Sequence, residues 1–330
     1  MRIVDAIDLF KTQYRAFSMM LLEGARTLSI EVTSIESPPP ADKLLGASDD
    51  IVIIPPFGRC VNAIRRGART EAFVLMLDLK GPAGIDSAIM AATRLEHFAY
   101  ASPMIGDKRY AESFEFLLGM GVRIYPLPYF PSAAVLENTD ILQQTTLNRT
   151  REPVAVYAGS IWGDRQDFLA RLAAAALPGS VIIRQGLAPQ DYLTFLRRAL
   201  VGLDFSGREA VTYRFAETLL SGAACVCQRR SFFVLPPCPT PGSDLVQFTT
   251  AEELIEITHS LLAEPERALA TGINGNSWYN ATQNPVEFCS YVLRIARGDL
   301  EPMTHIPPQE MFWSGWGTDN GISHPLWESA

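Results

Sequence analysis

VGLDFSGREAVTYRFAETLLSGAACVCQ (residues 201–228) reads as a strand, a polar loop, a helix and a second strand. VGLDFS and AACVCQ are continuous apolar runs, the pattern of parallel strands buried on both faces, and RFAETLLSG between them has helical spacing. Working outward, the same alternation repeats. VAVYAGS, FLARLAAAAL with its PG stop, SVIIRQG and PQDYLTFLRRAL lie upstream, and LVQFT with AEELIEITHSLLAEP lies downstream. The pattern predicts a doubly wound sheet over residues 151–300, with its ligand crevice beyond the carboxyl ends of the strands.

The first half carries a second such alternation. Strands are expected over residues 1–8, around Ile30–Ile35, in DDIVIIPPF, in AFVLMLD and in VRIYPLPYF. Helices are expected in FSMMLLEGA, near Asn62–Arg69, over Asp86–Ala99 and in RYAESFEFLLGMG, and SPPP at 37–40 breaks the chain. Residues 138–152 are polar and aperiodic, as a linker is. The fold class is therefore α/β, with two Rossmann-like doubly wound domains facing a central cleft. The first spans residues 1–150 and the second 151–300, and a tail at 301–330 with Trp313, Trp316 and Trp327 packs on the body.

Composition narrows the class. With 330 residues, 48% apolar and 19% charged, the chain has enough material for two cores. Five cysteines without a C-x-x-C pair suggest buried thiols in a reducing compartment rather than disulfides or zinc. No signal-peptide pattern or apolar run of membrane-spanning length occurs, so a cytoplasmic location and no membrane partner are expected. The net charge of −8 opposes simple electrostatic capture of nucleic acid, although Arg59, Arg65, Arg66 and Arg69 cluster in one stretch.

Three places can carry chemistry. Tyr157-Ala158-Gly159-Ser160 ends a strand and turns through glycine, leaving free N–H groups suited to phosphate; geometry and capping are the plainer explanation of such a turn. Arg214 and Glu217 stand three apart on one helical face after a strand's carboxyl end. There Arg214 can fork onto a diphosphate and Glu217 can accept ribose hydroxyls, and the competing explanation is an intrahelical ion pair. Asp78 ends a buried strand, as a general base toward an acceptor hydroxyl or as a turn aspartate before Lys80-Gly81-Pro82. D-x-D, H-E-x-x-H, G-x-G-x-x-G and the Walker pattern are all absent from the sequence. That composition favours no metal and no cofactor, with arginines and helix ends meeting the charge of a leaving diphosphate.

The segment R-x-x-E-x-x-x-S-G-A-x-x-V resembles the donor-binding helix of glycosyltransferases with the GT-B fold. With VYAGS, VLMLDLKGP and HFAYASP it is similar to the phage DNA β-glucosyltransferase family over most of residues 50–280. That resemblance implies a metal-independent, inverting transferase using a nucleotide sugar, a UDP-sugar above all. It puts Asp78 as base, Ser160 and Arg165 at the diphosphate, and Arg214 with Glu217 on diphosphate and ribose; Gly159, Arg208 and Thr218 are expected beside them around the donor. Arg59, Arg65 and His97 are then expected on the acceptor side. A hydroxylated base in DNA is one acceptor, and a small molecule or polysaccharide is the alternative. An epimerase or a sugar-nucleotide binding protein of the same fold would share the donor site.

Overall fold

The computed structural model describes residues 2–5, 12–34, 46–79, 84–105, 107, 109–138, 151–161, 163–206, 212–229, 232–306, 312–314 and 322–323. The chain divides into two units: Met1–Tyr129 with Ser231–Pro237 and Gln283–Ala330, and Phe130–Arg230 with Cys238–Thr282. Elements are numbered in chain order.

The first unit is a parallel sheet of β1 (Arg2–Asp5), β2 (Glu31–Ser34), β3 (Asp50–Ile54), β4 (Phe73–Leu77), β5 (Phe98–Ser102) and β6 (Ile124–Pro126), in the order β2-β1-β3-β4-β5-β6. The crossovers carry α1 (Thr12–Thr27), α2 (Arg59–Arg65), α3 (Ile85–Arg94) and α4 (Ala111–Gly119). β3 and β5 are buried at every position, because helices cover both faces. Each fully buried Val, Leu, Ile or Met contributes ~1.5–3 kcal/mol. β5 corrects the expected helix over 86–99: α3 stops at Arg94, and FAYAS forms a strand. A short apolar run has no period of its own, so only pairing with β4 and β6 reveals it.

The second unit holds β7 (Glu152–Ala158), β8 (Ser180–Arg184), β9 (Ala199–Asp204), β10 (Ala224–Gln228) and β12 (Val246–Phe248), all parallel, in the order β12-β10-β9-β7-β8. Its helices are α5 (Ala133–Leu136), α6 (Asp164–Ala174), α7 (Pro189–Arg198), α8 (Tyr213–Ser221), α9 (Ala251–Ala263) and α10 (Pro265–Thr282). α9 opens on a capping box: Thr250 accepts from the Glu253 amide while Glu253 reaches back to the Thr250 amide. Tyr157, Phe168, Phe205 and Phe248 form an edge-on aromatic cluster beneath the carboxyl ends of β7 and β9.

The chain crosses between units at Tyr129/Phe130 rather than at 150, and returns before 300. α11 (Pro285–Arg297) packs on α1 of the first unit, so closely that a Cβ on Gly24 would lie 2.0 Å from the Pro285 carbonyl oxygen. β11 (Phe232–Phe233) also belongs to the first unit, where it pairs with β13 (Phe312–Ser314), and β13 pairs with β14 (Ile322–Ser323). Trp313 thus lies on a strand, while Trp316 and Trp327 lie outside the described residues, as do residues 139–150 of the expected linker. Among the described residues no helix is long and apolar enough to cross a membrane.

Candidate active site

In the second unit a cavity of about 270 Å³ lies at the carboxyl ends of β7 and β8. Four pieces of chain line it: Ser132 and Val135, the Ala158-Gly159-Ser160 turn, the turn from Gly186 to Tyr192, and Tyr213, Arg214 and Glu217 of α8. α7 and α8 both present their N-terminal turns to it. Neither has a side-chain cap: residue 188 is alanine, and the Thr212 hydroxyl instead donates to Asp204 Oδ1 at 2.6 Å. Two positive helix ends therefore meet one cavity, a setting for anionic groups.

Arg214 sits in the first turn of α8. Its guanidinium lies 5.0 Å from the Tyr157 ring centroid, and Nη1 donates to the Ala158 carbonyl at 3.2 Å. Gly159 makes room for it: a Cβ there would fall 2.0 Å from Arg214 Nη1, on a backbone with φ +152°. The glycine is thus required by the arginine, and the turn and the helix form one feature. Arg214 Nε is buried without a hydrogen-bond partner.

One turn on, Glu217 is 4% exposed. Its Oε1 accepts from the Ser132 hydroxyl at 2.7 Å and the Ser132 amide at 3.1 Å. Burial pushes its pKa up; the Ser132 hydroxyl and amide, the Tyr192 hydroxyl and the Arg214 charge oppose that rise. The Tyr192 hydroxyl lies close enough to Glu217 to favour its charge yet forms no hydrogen bond of normal geometry. Arg214 and Glu217 both line the cavity from one face of α8, and no direct ion pair joins them.

Other expected donor residues go elsewhere. Ser160 lines the cavity, its carbonyl accepting from Tyr157 Oη at 2.8 Å. Arg165 does not reach the cavity. At 4% exposure its guanidinium donates to the carbonyls of Ser160 (3.0 Å), Ser206 (2.8 Å) and Phe205 (3.4 Å) and to Tyr157 Oη (3.2 Å), tying the Gly-Ser turn to the end of β9. Those bonds are the contacts of a residue that positions the turn. Thr218 faces the sheet, its methyl over Gly202 of β9, because it follows Glu217 around the helix toward the core. Arg208 lies outside the described residues.

In the first unit Asp78 is completely buried. Its Oδ2 accepts from Tyr100 Oη at 2.7 Å and the Gly84 amide at 3.2 Å, which pins the turn before α3. Burial, then the Asp78 charge, drives the Tyr100 pKa well up. These contacts match the turn aspartate rather than an accessible base. Arg59, Arg65 and His97 are exposed but not together. Arg59 opens α2 just past the carboxyl end of β3, whereas Arg65 ends α2 and His97 precedes β5, so both lie at the amino ends of the strands. Parallel sheets bind ligands at the carboxyl ends, so the three do not form one acceptor surface.

Ser132, Val135, Leu187, Pro189, Tyr192 and Tyr213 were not singled out by motif. The Gly186-Leu187-Ala188-Pro189 turn could have been, because it follows the carboxyl end of β8. Ser132 carries no such signal.

Comparison with known proteins defines the class. Residues 142–284, somewhat under half of the chain, match the family model described as glycosyl transferase-like. That match makes the second unit glycosyltransferase-like, and the chain's fold is one of two Rossmann-like units of GT-B type. Among solved structures it is similar to Anabaena Alr3699/HepE in complex with UDP, at 11% identity over 90% of this chain and 100% of that one, TM-score 0.51. The same Anabaena protein in complex with UDP and glucose gives 10% identity, 90% and 100% coverage and TM-score 0.50. At such identity the likeness is one of fold. None of the curated proteins compared matches this chain in sequence.

Proposed function

We propose that the cavity binds the nucleoside diphosphate of a nucleotide-sugar donor, and that the enzyme transfers the sugar to an acceptor hydroxyl. The observation that carries this reading is that Arg214, Glu217, the Gly159-Ser160 turn and two uncapped helix N-termini meet in one cavity. Arg214 and the helix ends face the diphosphate, and Glu217 accepts ribose hydroxyls. In the transfer, the acceptor oxygen bonds the anomeric carbon as the bond from that carbon to the diphosphate oxygen breaks. The diphosphate leaves with the electron pair, and the positive groups stabilise its growing charge. The acceptor hydroxyl gives up its proton to a base. For Asp78 to be that base its carboxylate would have to leave Tyr100 and Gly84, and the contacts seen support its turn role instead.

HepE, a protein of similar fold, has been seen with UDP and with UDP and glucose, which makes UDP the first probe. Calorimetric titration should show UDP bound with a micromolar Kd, and UDP-glucose hydrolysed or transferred slowly when an acceptor is supplied. Failure of UDP, ADP and GDP alike to bind would sink the reading. Conversion of a UDP-sugar with no acceptor present would mark an epimerase instead. DNA with hydroxymethylated bases belongs in the acceptor panel, beside simple alcohols and glycans. A phage-type DNA enzyme should prefer the modified DNA and lose that preference steeply with salt.

A further inference from the structure

Glu217 is the residue on which ribose recognition rests in the reading above, and the structure gives it an unexpected partner. Ser132 is among the first residues of the second unit and 85 positions away in sequence, yet it places both its amide and its hydroxyl on the same carboxylate oxygen, Oε1. Among the described residues no hydrogen bond of normal geometry engages Oε2. We propose that Ser132 is a positioning residue for nucleotide binding: its two-donor clamp on Oε1 fixes the Glu217 carboxylate so that Oε2 receives the ribose hydroxyls. The inference depends on the donor reading and adds to it a residue that never contacts the reacting bond.

The physical argument is one of burial. A carboxylate at 4% exposure is charged only if its surroundings hold the charge, and a protonated Glu217 would be a far poorer acceptor for two hydroxyls. The groups facing it are few. Arg214 lies on its own helix, Tyr192 comes from α7, Tyr279 from α10 and Ser132 from the segment before α5. Tyr192 and Tyr279 have buried hydroxyls without hydrogen-bond partners, and Arg214 acts on Glu217 only through its charge. Ser132 alone makes hydrogen bonds of normal geometry to it. Removing its hydroxyl moves the ionisation of Glu217 toward higher pH, because burial then penalises the charge with one fewer donor to offset it.

The test is calorimetric binding of UDP and 2′-deoxy-UDP between pH 5 and 8. In Ser132→Ala the affinity for UDP at neutral pH should fall about tenfold, and the preference for UDP over 2′-deoxy-UDP should shrink. The pH at which binding is lost on acidification should move up, and Ser132→Thr, which keeps the hydroxyl, should restore the wild-type profile. In a Glu217→Gln background Ser132→Ala should add no further loss. Equal weakening of both nucleotides with an unmoved pH profile, or an undiminished effect beside Glu217→Gln, overturns the proposal. A wild-type protein that binds no UDP overturns the donor reading and this inference with it, whereas normal UDP binding by Ser132→Ala overturns this inference alone. If Ser132→Ala does not fold, Ser132→Cys, with its weak thiol donor, takes its place against the same outcomes.

Discussion

The carboxyl ends of the two parallel sheets share a topology and treat their polar groups in opposite ways. In the first unit Asp78 is closed off by Tyr100 and Gly84, and Asp5 by the Ser18 hydroxyl, both carboxylates at 0% exposure. In the second unit Arg214 and Glu217 line open space, with unpartnered donors beside them and two uncapped helix ends. The strand-helix frame delivers side chains to the same edge in both. What differs is whether a neighbouring side chain or a ligand completes their bonding, and that choice is made in the loops.

The most damaging change on the open side is Arg214→Ala. It removes the cation that would meet the leaving diphosphate, so kcat/KM should fall by ~10²–10³ while the melting temperature hardly moves. A loss of less than tenfold would show that the helix ends carry the charge without it. Arg151 gives the opposite signature. Its guanidinium donates to the carbonyls of Leu196 (3.3 Å), Ala199 (2.8 Å) and Ser221 (2.5 Å), satisfying the C-terminal ends of α7 and α8 whose other ends face the cavity. Burial, then the nearby Arg197 charge, brings its pKa down to about 10, still charged at neutral pH. Arg151→Met should therefore cost about 2–3 kcal/mol of stability in a denaturant titration, since three buried carbonyls lose their donors. UDP affinity should change much less.

Asp78→Asn brings the comparison to the first unit and has a smaller expected effect. Asparagine can keep one carbonyl oxygen for both Tyr100 and Gly84 but loses the charge that strengthens both bonds, so stability should drop by about 1–2 kcal/mol. UDP affinity should be unchanged. If instead the protein melts like wild type and turnover falls more than ~10²-fold, Asp78 is the base after all and the closed state of the first unit's edge is not its working state.

These contrasts also show why some of the molecule could be read from sequence and some could not. The second sheet was legible because its strands are separated by helices with clear spacing, and α8 ends where Gly222, with φ +72°, says it should. Arg214 and Glu217 were legible because a one-turn separation fixes a shared face. The backbone contacts of Arg165 were not legible for a physical reason: a guanidinium serves a phosphate and a set of backbone carbonyls equally well, and its burial is set by the fold, not by its neighbours in sequence. Ser132 was invisible because its partner is distant in sequence and a lone serine has no pattern. The crossing at Tyr129/Phe130 and the return of α11 to α1 were missed likewise, since helix packing across such separations leaves no local trace. Arg151, taken with the polar linker, is a half-buried tether; the guanidinium looks the same in both settings.

Glu217→Gln separates stability from function at the open site by moving them in opposite directions. Burial raises the Glu217 pKa in the folded protein, so its stabilising contribution is present at low pH and is lost as pH rises through that raised value. Above that raised value the charged side chain is a cost to folding, retained for what it binds. Glutamine keeps a carbonyl oxygen for the Ser132 hydroxyl and carries no charge, so the variant should be more stable than wild type by about 1 kcal/mol at pH 7. The gain should fade on acidification, as wild-type Glu217 takes up its proton and the two proteins converge. UDP affinity should fall in the same variant at pH 7. Equal or lower stability at pH 7 would mean that the Ser132 clamp more than offsets the burial of the charge, and the second unit's edge would then be as fully satisfied as the first.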